Sequence, residues 1–236
     1  MKNNKHKLAE VISIVSHEFK TPLSAIKGYI EVLIAEDLGK LTVGQKDYLK
    51  DALENTHRMI ELVHDLLDVS QIEQGKLELK PKPSNLENII RKTIKEFLFV
   101  VRAKNCSISF KVLDKVPLLN IDPLKVKQVI SNFISNAIRY SERKGDIEVF
   151  IKKKGNNVIF ECNDNGIGIP KAEKKKIFTK FYRSEKAVIH ATGGSGLGLF
   201  ISKAIIKKSK GKIWFISKED KGSSFYFSLP IKKYEK

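Results

Sequence analysis

The chain has 236 residues, of which 42% are apolar and 30% charged. That is a globular composition, long enough for one large domain or two ordinary ones. The chain holds no run of the roughly 18 apolar residues a membrane-spanning helix needs, and its start, "MKNNKHKLAE", leads into a charged amphipathic pattern unlike a signal peptide. The formal net charge of +17 suits an anionic partner. The lysines are scattered, however, and no zinc-finger, RRM or basic-zipper pattern organises them, so solubilising charge is the favoured reading over a nucleic-acid surface. The two cysteines, Cys106 and Cys162, lack metal-type spacing and read as small core residues on strands in a reducing compartment.

The first element is a long helix. Leu8, Ile12, Val15, Phe19, Leu23, Ile26, Ile30 and Leu33 recur at steps of three and four, a heptad-like seam. His17 falls off this seam, with Ser13, Lys20, Ser24, Lys27 and Glu31. Pro22 cannot donate to the carbonyl of Glu18, which predicts a local bend just beyond the histidine. "DLGKLTVGQ" interrupts the pattern. Thr42 and Gln45 then make a capping box for a second helix carrying Leu49, Ala52, Thr56, Met59, Val63, Leu66 and Ser70 on one stripe. Gly75 is its expected C-terminal cap. A lone helical hairpin cannot cover two apolar faces, so a dimer closing a four-helix bundle is expected.

"LELKPKPSN" reads as an extended link and places the domain boundary after residue 79. Ser84 and Glu87 are the expected box for a helix reaching about Lys104, followed by a strand through Cys106, Ile108, Phe110 and Val112. Asp122 before Pro123 opens a helix to about Tyr140. "DIEVFIKKKGNNVIFECND" predicts a hairpin turning at Gly155–Asn157, and "KIWFIS" with "SSFYFSLP" a second, after a helix from about Leu197 to Lys208. This mixture implies one sheet with helices on one face, an α+β domain following an α-helical one.

Three stretches of the second domain carry chemistry. In "NFISNAIRY", Asn132 and Asn136 share a helical face, with Arg139 and Tyr140 on the next turn. Aligned amide oxygens suit a hard cation such as Mg²⁺, and the arginine suits phosphate. In "NDNGIGIP", Asp164 ends a strand and can accept from a base amino group, while Gly166 and Gly168 admit close backbone approach. In "GGSGLGLFIS", glycines open a helix whose free N–H groups suit an anion, although the loop is neither a Rossmann fingerprint nor a Walker A loop.

The asparagine-bearing helix, "DNGIGIP", "FTKFYR" and "GGSGLGL", in that order, resemble the N, G1, F and G2 boxes of sensor histidine kinases, and "SHEFKTPLSAIKGYIEVL" resembles their H box. The resemblance runs from about residue 8 to about residue 230. It implies a dimerisation and phosphotransfer hairpin over residues 1–79 and a GHKL-type ATP-binding α/β sandwich over residues 80–236. It further implies that His17 is the phosphorylated residue, that Glu18 is its adjacent base, and that Thr21 could position water for dephosphorylating a partner. Asn136, assisted by Asn132, would hold Mg²⁺. ATP would meet Arg139, Tyr140, Asp164, Gly166, Gly168, Ile169, Phe181, Arg183, Gly194, Ser195, Gly196, Leu197 and Gly198. Arg139 departs from the usual lysine of the N box, keeping the charge but changing the donor geometry. His190, in the expected lid between Phe181 and Gly193, reads as a solvated residue, as do His6, His57 and His64. The partners implied are a second copy of the chain, the aspartate of a response regulator and an upstream sensor segment, with a cytoplasmic location that could belong to a membrane-bound sensor kinase. A catalytically dead dimeric scaffold, a chaperone- or topoisomerase-type ATPase and a DNA-binding protein are the weaker readings.

Overall fold

The computed structural model describes residues 2–141, 145–190 and 194–231, and their side chains except those of residues 2–11, 13, 17 and 190. The chain divides into two compact units, Met1–Leu77 and Glu78–Lys236.

The first unit is a hairpin of α1 (Lys2–Ile34) and α2 (Val43–Glu73), packed along each other. Helix α1 continues through Pro22. At the start of α2, the Thr42 hydroxyl accepts from the Gln45 N–H while the Gln45 side chain accepts from the Thr42 N–H, the reciprocal pair expected there. At its end Gly75 adopts φ +71° and donates to the Ile72 carbonyl, and Lys76 N–H reaches back to Gln71. This left-handed cap satisfies carbonyls the helix leaves open. The stripe of α1 divides in two. Leu23 and Ile30 are buried, whereas Val15, Phe19, Ile26 and Leu33 remain exposed, Phe19 by 53%. On α2, Thr56 and Val63 are buried and Met59 is exposed. One hairpin therefore covers only part of its own seam.

The second unit contains β1 (Lys82–Ser84), α3 (Leu86–Ala103), β2 (Ser107–Val112), β3 (Leu119–Ile121), α4 (Pro123–Tyr140), β4 (Asp146–Lys154), β5 (Asn157–Asp164), α5 (Glu185–His190), α6 (Gly198–Lys208), β6 (Lys212–Ser217) and β7 (Ser223–Pro230). Five strands form a mixed sheet in the order β2-β4-β5-β7-β6, with β2 parallel to β4 and the other pairs antiparallel. Alternate residues point to one face: Ile147, Val149 and Ile151 from β4, Val158, Phe160 and Cys162 from β5, and Phe225, Phe227 and Leu229 from β7 are all buried. They meet α4 and α6 through Val129, Ile130, Phe133, Ile201 and Ile205. Phe133 sits at the centre, its ring 5.4 Å from Phe225 and 6.2 Å from both Phe160 and Phe227. Phe133→Ala is expected to cost about 3–5 kcal/mol, read as a lower urea midpoint with an unchanged slope for the second unit. The opposite sheet face is polar, with Lys152 paired to Glu161 and Tyr226 donating to Glu161.

Five differences from the expected elements appear here. Asn85, not Ser84, caps α3: its side chain accepts from Asn88 N–H, and Ser84 instead ends β1. The two prolines of "KPKPS" are not in a free link. Lys82–Ser84 pairs with Leu119–Ile121, and Lys80 N–H donates to Asp122 at 2.8 Å, which fastens the segment from Lys80 onward to the second unit. Cys106 precedes β2 and is half-buried, so only Cys162 is a core thiol on a strand, its ionisation pushed far up by burial. The stretch after Arg183 contains the short helix α5. The first hairpin turns on Gly155 and Asn156, with Asn157 already in β5.

Candidate functional site

In the first unit, residues 16–21 lie on α1. Glu18 and Thr21 are exposed, with Thr21 one turn beyond His17. The side chain of His17, and with it the expected orientation off the seam, lies outside the described residues.

In the second unit, the separate sequence stretches converge. Asp122 accepts from the N–H groups of Leu124 and Lys125 and Pro123 fills the first turn, starting α4 in a register that buries Phe133, Ala137 and Ile138 and leaves Asn132, Asn136, Arg139 and Tyr140 half-buried on another face. The Asn132 amide donates to the Ser202 hydroxyl of α6 at 2.9 Å, and Asn136 Nδ2 lies 3.4 Å from Asn132 Oδ1. No hydrogen bond to Asn136 Oδ1 occurs among the described residues, so that oxygen can serve a ligand. Asn132 is better placed to orient its neighbour.

Asp164 ends β5. Its Oδ1 accepts from Gly166 N–H at 3.0 Å and from Ser223 N–H at 3.2 Å. With both bonds on one oxygen, Oδ2 is the acceptor available to a ligand. Burial outweighs these two bonds and pushes the Asp164 pKa up to about 6. The next residues are held by close backbone approach. A Cβ on Gly166 would lie 2.2 Å from the Tyr140 carbonyl oxygen. Gly168, at φ +63°, leaves no room for one against Lys218. Ile167 N–H donates to the same Tyr140 carbonyl, and Ile169 N–H to the Ser217 hydroxyl.

The segment "FYR" and the glycine loop fold onto this frame. Phe181 takes φ +63° and is exposed, and a Cβ on Gly196 would come 2.8 Å from its carbonyl carbon. A Cβ on Gly194 would meet Arg139 Nη1 at 2.4 Å, and one on Gly198 would meet Asn132 Oδ1 at 2.2 Å. Arg183 Nη2 donates to the Ala187 carbonyl, and Ser195 Oγ accepts from Leu197 N–H. Helix α6 starts without a side-chain cap, which leaves first-turn N–H groups open to an anion beside Arg139 and Arg183. Ile169, Phe181, Arg183 and the 194–198 loop thus gather with Asp164 and the α4 asparagines around one site. Three supporting serines escaped the sequence reading: Ser202, which anchors Asn132, and Ser217 and Ser223, which hold the Asp164–Ile169 turn. The positive-φ Gly222, packed on the Asp164 carbonyl, was the local signal for the last two.

A helical hairpin followed by a mixed sheet with an asparagine helix, a buried aspartate and an uncapped glycine-rich helix start is a histidine-kinase architecture, and the chain belongs to the sensor histidine kinases. Residues 7–75 match the His Kinase A (phospho-acceptor) domain, and residues 121–233 match the histidine kinase-, DNA gyrase B-, and HSP90-like ATPase. It is 36% identical over 223 residues to the sensor protein kinase WalK of Staphylococcus haemolyticus, covering 94% of this chain and 36% of that one. It is 30% identical over 223 residues to the circadian input-output histidine kinase CikA of Synechococcus elongatus, covering 94% and 30%. Full-length ShkA in complex with AMPPNP shares the fold with a TM-score of 0.76 at 25% identity, over 94% of this chain and 45% of that one. The chain spans about a third of the length of these two curated relatives. Among the described residues no helix is long and apolar enough to cross a membrane.

Proposed function

We propose that residues 80–236 bind ATP and that residues 1–79 dimerise and carry the phosphoacceptor, so that the chain phosphorylates itself on His17 and passes the phosphoryl group to an aspartate of a response regulator. The observation that carries this reading is the convergence of Asp164, Asn136, Arg139 and the uncapped start of α6 at one site, on a chain that also bears "SHEFKTP".

Each residue has a role that its chemistry supports. Asp164 Oδ2 accepts from the adenine amino group, in a turn that Gly166 and Gly168 keep narrow. Arg139, Arg183 and the N–H groups opening α6 hold the phosphates, with Gly194, Ser195, Gly196, Leu197 and Gly198 forming the cradle and Tyr140, Ile169 and Phe181 its surroundings. Asn136 Oδ1, oriented through Asn132, is the protein's hard-oxygen ligand for Mg²⁺. No cluster of three or more His, Cys, Asp or Glu suited to a metal occurs among the described residues, so the ion arrives with the phosphates. When bound, it offsets phosphoryl charge. A neutral imidazole nitrogen of His17 attacks the γ-phosphorus, the bond to the β-bridging oxygen breaks, and Glu18 takes the proton the ring loses. Thr21, one turn on, holds a water that hydrolyses the partner's aspartyl phosphate to carboxylate and inorganic phosphate. The exposed Phe19, Ile26 and Leu33 supply the apolar face a second copy would cover. The relatives' names support a sensor kinase, and we place its catalytic region in the cytoplasm.

Incubation with γ-labelled ATP and Mg²⁺ tests the reading. Acid-labile, alkali-stable label on the protein is expected, and absence of both label and nucleotide binding would sink it. The Asp164 pKa near 6 adds a pH signature. The carboxylate must be ionised to accept, so ATP affinity is flat above pH 7 and falls about tenfold per unit below pH 6. Isothermal titration across pH 5–8 reads the slope.

A further inference from the structure

We propose that the outer edge of the sheet, where α6 and β6 meet, docks an extended acidic segment of a protein partner. A groove of about 420 Å³ lies there, lined by Lys203, Lys207, Gly211, Lys212, Ile213 and Trp214. It is remote in role from the nucleotide residues, none of which lines it.

Charge is the first reason. From Lys186 to Lys218 the chain contains no aspartate or glutamate, yet it carries lysines at 203, 207, 208, 210 and 212. No ion pair of Lys203, Lys207 or Lys212 occurs among the described residues. Lys203 rests over the Phe178 ring, 5.3 Å from its centre, which holds its stem in place. Three cations face one groove with no internal carboxylate to offset them, and an acidic ligand supplies what is missing.

The backbone is the second reason. β6 is the last strand of the sheet, so alternate residues turn their N–H and C=O groups away from β7. Its C-terminal end is closed: the Ser217 carbonyl accepts from Lys174 Nζ and the Ser217 hydroxyl from Ile169 N–H. The Lys212–Trp214 half borders the groove, with the Lys212 N–H held by the Ser228 hydroxyl at 3.3 Å and the strand open beyond it. An extended peptide can add to that half as a further strand, its carboxylates on the α6 face against Lys203 and Lys207 and its alternate apolar side chains on the opposite face beside Trp214. A nucleic acid has no backbone to pair there. Trp214 also has one face already covered by Tyr226, with rings 5.2 Å apart and 2° from parallel, which weakens it as a base-stacking platform.

Trp214 is the single tryptophan of the chain, sits on the β6 edge where the peptide would add, and reports on that addition. Titrating the full chain with a short synthetic peptide alternating glutamate and valine should change its emission saturably. The triple variant Lys203→Glu, Lys207→Glu, Lys212→Glu should weaken binding by about tenfold or more, with far-UV CD and nucleotide affinity retained. Lys203→Arg, Lys207→Arg, Lys212→Arg should keep it. The proposal is overturned if the acidic peptide gives no saturable change, if the charge-reversed protein binds it equally, or if oligothymidylate binds this groove more tightly than the peptide. Because nucleotide affinity is measured in parallel, loss of the kinase reading and loss of this one remain distinguishable.

Discussion

His17→Gln removes acid-labile labelling by γ-labelled ATP, lowering it by at least about a thousandfold. Glutamine keeps a polar side chain of similar reach and a good helix propensity, so α1 loses no backbone support. It lacks the one thing the reaction needs, a nitrogen lone pair that can form a bond to phosphorus at neutral pH. His17 and the candidate nucleotide site lie in different units, so ATP affinity should stay within about twofold of the parent. That pairing makes the experiment decisive. Unlabelled protein with intact nucleotide binding identifies His17 as the acceptor. Label that survives the substitution assigns the acceptor elsewhere, with His57 and His64 on α2 the next to substitute.

The candidate site was legible because close backbone packing and amide-bearing helix faces leave a compositional trace. Gly166 and Gly198 stand where a Cβ would strike a carbonyl or an amide oxygen, and Asn132 and Asn136 fall on one helical face. What holds these residues was not legible. Ser202, Ser217 and Ser223 are ordinary serines until α6 and the β6–β7 turn bring them to Asn132, Ile169 and Asp164. Regular elements with strong periods, α2 and α4 above all, were read to within a residue of their ends, because Thr42 with Gln45 and Asp122 with Pro123 are local capping signals. The three-residue strands β1 and β3 have no period to read. Their pairing joins residues far apart in sequence, and it reverses the meaning of a two-proline segment from free link to sheet edge. The seam of α1 shows a limit of another kind. Apolar spacing marks residues that want cover but not the surface that covers them, so Leu23 and Phe19 look alike in sequence while one is buried within the hairpin and the other is exposed.

Asp164→Asn should weaken ATP binding by about a hundredfold while leaving the fold at least as stable. The amide oxygen can still accept from Gly166 and Ser223, so the turn after β5 keeps both of its bonds. At the free position, however, an acceptor becomes a donor and faces the adenine amino group donor to donor. A lost charge-assisted bond together with an unpaired polar group costs about 2–4 kcal/mol. Stability moves the other way. The carboxyl titrates near pH 6 in the fold against 3.8 as its ordinary value, so its ionisation costs stability, on the order of 3 kcal/mol, that is absent below pH 3.8, grows through pH 6 and is complete above it. The neutral amide escapes this cost, so the urea midpoint at pH 7.5 should rise or hold. Two further readouts separate a base-reading aspartate from a merely structural one. The fall in ATP affinity below pH 6 should vanish in the variant, because nothing is left to protonate. Discrimination should also shift towards GTP, whose ring oxygen at the corresponding position can accept from the new amide. Unchanged ATP affinity, or a loss equal for both nucleotides with the pH slope intact, would place the base-reading group elsewhere in the site.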